Sequence, residues 1–344
     1  MASPKYTIQL DPSKQLSPLA ENSNATLPVK LPNAKLHHTH ASFPMDTQAI
    51  DDPKKISIYF VGTATTIFES KFFRIMTDPN FLHAGDHVHL GPGVTAQRQT
   101  NPAISMDELP SVDAILKPRL SHFHEDHFDK QVQERLRKDL PIVTTIEAVA
   151  PLEELGFTEV SGLNTWETAF LKTSASESNP GLNLQVISTP GKHVAGPAIE
   201  AVNDFMAAVP PTTGFVLEFK WDGNADAAFR TYISGDTLFV KDLEEIPKRY
   251  PDIDLLMIHL GGTTIPGPHL PILMVTMDSK QGIKLVQLIK PKITLPIHFD
   301  DYDVFLSPLE DFKKEMIGAG FADKVVYLDR GERFDFAIRT KQTS

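Results

Sequence analysis

Ser121-His122-Phe123-His124-Glu125-Asp126-His127-Phe128-Asp129 puts three imidazoles and a carboxylate, His122, His124, Asp126 and His127, within six residues. An apolar β-type run, Val112–Leu116, precedes the stretch, and a polar segment read as a helix, Phe128–Leu140, follows it. The cluster therefore falls on a turn between a strand and a helix. A turn can aim neighbouring side chains at one point, which a straight strand or helix of this spacing cannot do for all four. Imidazole nitrogen with carboxylate oxygen is a donor set for zinc, and also for manganese or iron.

Three more donors stand where β-type runs end: His193 after Ser188–Lys192, Asp236 after Ile233-Ser234-Gly235, and His298 after Leu295-Pro296-Ile297. Loops after strands are where α/β folds place their sites. The composition agrees. The chain has 13 histidines and no cysteine, which excludes thiol catalysis, disulfide frameworks and Cys-held metals and leaves nitrogen and oxygen ligands. With 33 basic against 44 acidic residues, net −11, no nucleic-acid partner is expected.

The 344 residues suffice for a large core. Residues 1–54 hold prolines 4, 12, 18, 28, 32, 44 and 53 and no glycine, which predicts an extended or partly disordered N-terminal arm ahead of one domain over 55–344. From Ile56 onward, β-rich runs alternate with helical patterns: strands at Ile56–Val61, 72–77, 112–116, 141–145, 183–189, 214–220, 230–234, 254–258, 293–297 and 325–328, and helices at 146–155 and 279–289. In the last helix Gln281, Lys284 and Gln287 mark the wet face. That alternation predicts an α/β class with mixed sheets. Residues 81–107 lack periodicity and read as a long loop in which His83, His87 and His89 line a mouth. His37, His38 and His40 read as a solvated tract of the arm. No apolar stretch reaches about 18 residues and no leader pattern follows Met1, so a cytoplasmic protein without a membrane span is expected.

With these residues in view, the sequence resembles the metallo-β-lactamase superfamily over roughly 55–335: His-x-His-x-Asp-His, a later His, a Gly-Asp-Thr aspartate and a final His, in order. The turn at Gly62–Thr65, the run Thr77–Asn80, Leu109–Asp113 and Asp254–Gly262 resemble its L-ascorbate-6-phosphate lactonase and N-acyl-phosphatidylethanolamine phospholipase D branch. The resemblance implies an αββα sandwich of two mixed sheets with a dinuclear centre at one edge. His122, His124 and His193 would hold one divalent ion, Asp126, His127 and His298 the second, and Asp236 would bridge them. Zn2+ is expected first, then Mn2+ or Fe2+. A metal-bridging hydroxide would attack an ester, lactone or phosphoester of a small molecule. Asp126 and Asp236 are the catalytic carboxylates of this reading.

Asp78 is expected to hold a ligand histidine, while His259, His269 and Tyr302 are expected near the substrate. Seven ligands with two carboxylates leave the centre at about +2, which suits an anionic or carbonyl-containing substrate. A homo-oligomer is compatible with the sequence. Two alternatives stay open: a phosphodiesterase of phospholipase D or nuclease type, and a catalytically silent binding protein. In one departure from the family pattern, Lys117-Pro118-Arg119 separates the apolar strand from Ser121-His122, which predicts a bulge or loop-out, because proline fits poorly inside a central strand.

Overall fold

The computed structural model describes residues 3–11, 16–20, 31–43, 52–91, 94–117, 125–173, 181–194, 212–222, 227–267 and 270–338. His122, His124, His269 and the segment Pro118–Leu120 lie outside the described residues.

Two mixed sheets stack face to face. The first runs, edge to edge, Tyr6–Leu10, Thr168–Thr173, Leu182–Gly191, Thr212–Trp221, Phe229–Ile233, Leu255–His259 and Ile293–Ile297. The second runs Val160–Leu163, Ile142–Thr145, Ala114–Leu116, Arg74–Thr77, Thr65–Ser70, Lys55–Gly62, Arg333–Ala337 and His37–His38. Strand faces turned inward carry Ile56, Ile58, Phe60, Phe68, Val186, Phe215, Leu217 and Phe336, and these form the inter-sheet core. Phe229 of the first sheet and Phe336 of the second stack at 4.2 Å across that core, and Phe43 of the N-terminal segment packs on Phe229 at 5.1 Å. Truncating one such buried ring to alanine costs about 3–5 kcal/mol.

Helices cover both outer faces. Ser279–Ile289 and Leu309–Gly318 pack Ile283, Leu285, Phe312 and Met316 on Val216, Tyr232, Leu256 and Ile258 of the first sheet. Lys130–Arg135 and Val149–Glu154 place Val132 and Leu152 against Ile67, Met76, Ile115 and Ile142 of the second. The layers are the αββα sandwich expected from the sequence. The helix at 279–289 has the predicted bounds: Lys284 and Gln287 are exposed, and the Asp278 carboxylate caps it by accepting from the Gln281 N–H at 2.8 Å.

Several local readings change. The helix expected over 128–140 is only Lys130–Arg135, because Leu136 turns extended and bridges to Leu19. Val325–Leu328 makes a single bridge, Thr294 to Val325, and the last strand along the chain among the described residues is Arg333–Ala337. Residues 81–107 carry a hairpin, His87–Gly91 with Val94–Gln97. Its Val88 and Leu90 are buried with Ala96, Tyr302 and Val304, while His83, His87 and His89 are exposed. The N-terminal segment supplies an edge strand to each sheet. On the second, His37 and His38 face Asp335 and Glu332 at 3.3 and 2.9 Å.

Parallel pairing positions the site. Phe229–Ile233, Leu255–His259 and Ile293–Ile297 run parallel, so their C-terminal ends meet at one edge. Arg74–Thr77 and Ala114–Leu116 are parallel in the second sheet and end at Thr77 and Leu116, in register. The ladder continues one step, Lys117 N–H donating to Val143 O at 2.9 Å, before the chain enters the motif turn.

Candidate metal centre

At that edge Asp126, His127, Asp236 and His298 converge. All four are buried, and one ligand atom from each lies within 4.8 Å of the others. His127 Nε2 is 3.0 Å from Asp236 Oδ2 and 3.5 Å from Asp126 Oδ2; His298 Nε2 is 3.6 Å from Asp126 Oδ2 and 3.5 Å from Asp236 Oδ2. Ligands bound at about 2.0–2.1 Å around a tetrahedral zinc stand about 3.4 Å apart. The observed separations bracket that figure, so the donor set fits a divalent cation in both chemistry and span.

The imidazoles are oriented from behind. His127 and His298 turn Nε2 to the centre, and among the described candidate ligands each histidine has a support behind Nδ1. His127 Nδ1 meets Asp78 Oδ1 at 3.3 Å, and His298 Nδ1 donates to Leu260 O at 3.1 Å. His193, buried after the strand Leu182–Gly191, donates from Nδ1 to Val275 O at 2.8 Å, so Nε2 carries its lone pair. A carbonyl or carboxylate behind the ring fixes the tautomer and raises ligand basicity.

The charges explain the protonation state. Burial works against a charged His127, but the carboxylates of Asp236, Asp126 and Asp78 outweigh it and raise its pKa to about 10. A cation at this point is what the surrounding charges favour. Burial pushes the Asp78 carboxyl up, with His127 pulling it back.

Backbone strain concentrates here. Thr63, Asp78 and His298 have φ of 51°, 35° and 60°, half of the non-glycine residues with positive φ among those described. Such conformations cost about 1–3 kcal/mol each and persist where surrounding structure over-determines them. Gly235, just before Asp236, has φ 62°, and a Cβ there would sit 2.2 Å from Thr213 O. Gly261 has φ 100°, and a Cβ would lie 2.7 Å from His298 O. Both turns require glycine.

The residues expected near substrate take different places. His259 is buried; its ring lies 6.2 Å from that of His127 and 5.7 Å from that of His298, and its backbone N–H donates to Ser234 Oγ at 2.9 Å. Tyr302 is buried under the site, its hydroxyl accepting from Asn80 Nδ2 at 3.0 Å, and its ring packs on Phe305. Phe305 in turn packs on His298, centroids 4.5 Å apart. His122, His124 and His269 are outside the described residues.

The sequence reading passed over Asp129, Glu125 and Arg98. Asp129 caps the helix Lys130–Arg135 and accepts from the Phe81 N–H at 2.7 Å. Burial raises its pKa to about 6 against those backbone bonds. Glu125 accepts from the His89 N–H at 3.0 Å and so pins the motif turn to the hairpin. An acid after His127-Phe128 and before a polar helix is a capping signal that was available in the sequence.

Comparison with known proteins agrees with this geometry. A family model described as a beta-lactamase superfamily domain matches residues 74–299, a span that holds every candidate ligand. A protein of Archaeoglobus fulgidus described as a UPF0173 metal-dependent hydrolase is 28% identical over 63% of this chain and 80% of its own length. Among solved structures, an isothiocyanate hydrolase from Delia radicum gut bacteria superposes with a TM-score of 0.63 at 17% identity, covering 82% of this chain and 99% of the other. A possible metal-dependent hydrolase of Veillonella parvula gives 0.62 at 18%, covering 82% and 99%. The fold, the ordered donors and the matched span together place this chain in the beta-lactamase superfamily.

Proposed function

We propose that this protein is a metal-dependent hydrolase that holds two divalent cations, Zn2+ foremost, and hydrolyses an ester, lactone or phosphoester of a small anionic molecule. The observation that carries the reading is the convergence of Asp126, His127, Asp236 and His298 at tetrahedral ligand spacing, each imidazole offering Nε2. These four are the residues that the resemblance assigns to the second ion and the bridge. The relatives described as metal-dependent hydrolases favour hydrolysis over silent binding. Divalent cations in such a site supply an acidified water near neutral pH and an electrophile for the scissile oxygen.

The chain's own groups do the remaining work. Asp236 is shared between the His127 and His298 sides. Asp126, on the motif turn, orients the attacking water and accepts its proton. His259 stands beside both ligand rings and is placed to donate to a developing oxyanion. Burial of all these groups strengthens each electrostatic contact. With His122, His124 and His193 completing the set, the net charge of about +2 selects an anionic group on the substrate.

The test is metal quantification on protein purified without chelator, followed by lactones, phosphomonoesters and phosphodiesters assayed with and without chelator. Stoichiometric metal and chelator-sensitive turnover are expected, with His124→Ala inactive and folded. Protein that carries no metal and takes none up overturns the reading.

A further inference from the structure

Arg98 follows the hairpin and enters the molecule, where its side chain is fully buried. Its guanidinium reaches four segments at once. Nη2 pairs with Asp301 Oδ1 at 3.0 Å; Nη1 donates to Thr63 Oγ1, to Asn80 Oδ1 at 2.8 Å and to the Tyr302 hydroxyl at 3.4 Å; Nε donates to Thr100 O at 2.9 Å. None of these groups is a candidate ligand, yet each touches a segment that carries one.

Thr63 receives the His298 N–H on its carbonyl at 2.8 Å and gives its own N–H to Asp301 Oδ2 at 2.7 Å. Arg98, Thr63 and Asp301 thus close a ring around the left-handed backbone of His298. Asn80 donates to Glu125 O at 2.7 Å, on the peptide bond leading into Asp126, and follows Asp78 by two residues. Through Asn80, the same guanidinium reaches the Asp126–His127 turn and the carboxylate behind His127.

We infer that Arg98 is the positioning residue of the Asp126–His127–His298 half of the centre, fixing ligands from both sheets without touching a cation. The inference rests on the metal-site reading above. Only a planar fork with several fixed donors can serve Asp301, Thr63, Asn80 and Tyr302 together, which a lysine ammonium cannot do. Supporting partners of this kind typically change metal affinity about 10–100-fold when removed.

The experiment measures Zn2+ binding by calorimetry on the full chain stripped with chelator. It compares wild type with Arg98→Lys, Arg98→Met and Lys55→Met. Arg98→Met leaves Asp301 paired with Arg330 at 2.8 Å, and Arg98→Lys keeps the buried charge, so the lysine variant decides the matter if the methionine variant does not fold. Lys55 forms a buried pair with Asp335 at 2.7 Å at the far end of the strand Lys55–Gly62, and its loss reports on stability alone. Affinity lowered about 10-fold or more in the Arg98 variants, with Lys55→Met binding as wild type, supports the inference. Wild-type affinity in folded Arg98→Lys, or an equal loss in Lys55→Met, overturns it. Wild type that binds no Zn2+ overturns the metal-site reading and this inference with it.

Discussion

The two sheets support their ligands by different means. On the second sheet, His127 leans on a charged side chain, Asp78, at 3.3 Å. On the first, His298 and His193 lean on neutral backbone carbonyls, Leu260 and Val275, at 3.1 and 2.8 Å. A carboxylate support makes the imidazole more basic and is open to substitution. A carbonyl support fixes the ring by fold geometry, and for His298 it comes with a left-handed backbone. Proton competition with a metal is therefore concentrated at His127, while shape control is concentrated at His298.

Asp236 joins the two sides, and its removal should have the largest effect. In Asp236→Ala, hydrolysis falls to the uncatalysed background and Zn2+ binding is lost; calorimetry and turnover check this, and retained tight binding would break the four-residue site. Asp78→Asn acts on one side only. Zn2+ affinity is expected to fall about 10–100-fold with the fold retained, and an unchanged affinity would show that the charged support is idle.

The pH dependence of the metal-free protein follows from the same contrast. The folded-state pKa of His127 is raised, from 6.5 to about 10. The stability contributed by its protonated form is fully present below about pH 6.5 and is lost as pH rises toward 10. Urea midpoints of chelated protein should therefore decline across that window, and in Asp78→Asn the decline should move to lower pH. A flat profile in wild type argues against a proton held there. Phe305→Ala is the mildest change. It removes the ring packed on His298, and a loss of about 1 kcal/mol by denaturant unfolding is expected, with metal stoichiometry unchanged.

Much of the centre was legible because its donors cluster along the chain or end apolar runs. Asp126 and His127 are adjacent, and Asp236 and His298 each follow a strand whose buried pattern is plain. Arg98 was not legible. It is a single arginine in a polar stretch, and its side-chain partners lie 18 to 204 residues away, so only the fold assigns it. The hairpin was legible and went unread. His87, Val88, His89 and Leu90 alternate exposed and buried, but histidines weighed as mouth residues obscured the period of two. Thr168–Thr173 alternates in the same way and lacks glycine or proline marks at its ends. The helix Leu309–Gly318 opens at Pro308, a start signal that was present and not used.

The pairing of Tyr6–Leu10 along Thr168–Thr173, five residues in parallel register and braced by the Lys5–Glu167 ion pair at 2.6 Å, also sets which segment forms the open edge of the first sheet. Without that strand the open hydrogen-bonding edge of the first sheet would be Thr168–Thr173, with its N–H and C=O groups unpaired and a half-buried Phe170 beside them. Such an edge templates pairing with another chain. The N-terminal segment thus covers that edge and becomes the outermost strand of the sheet itself.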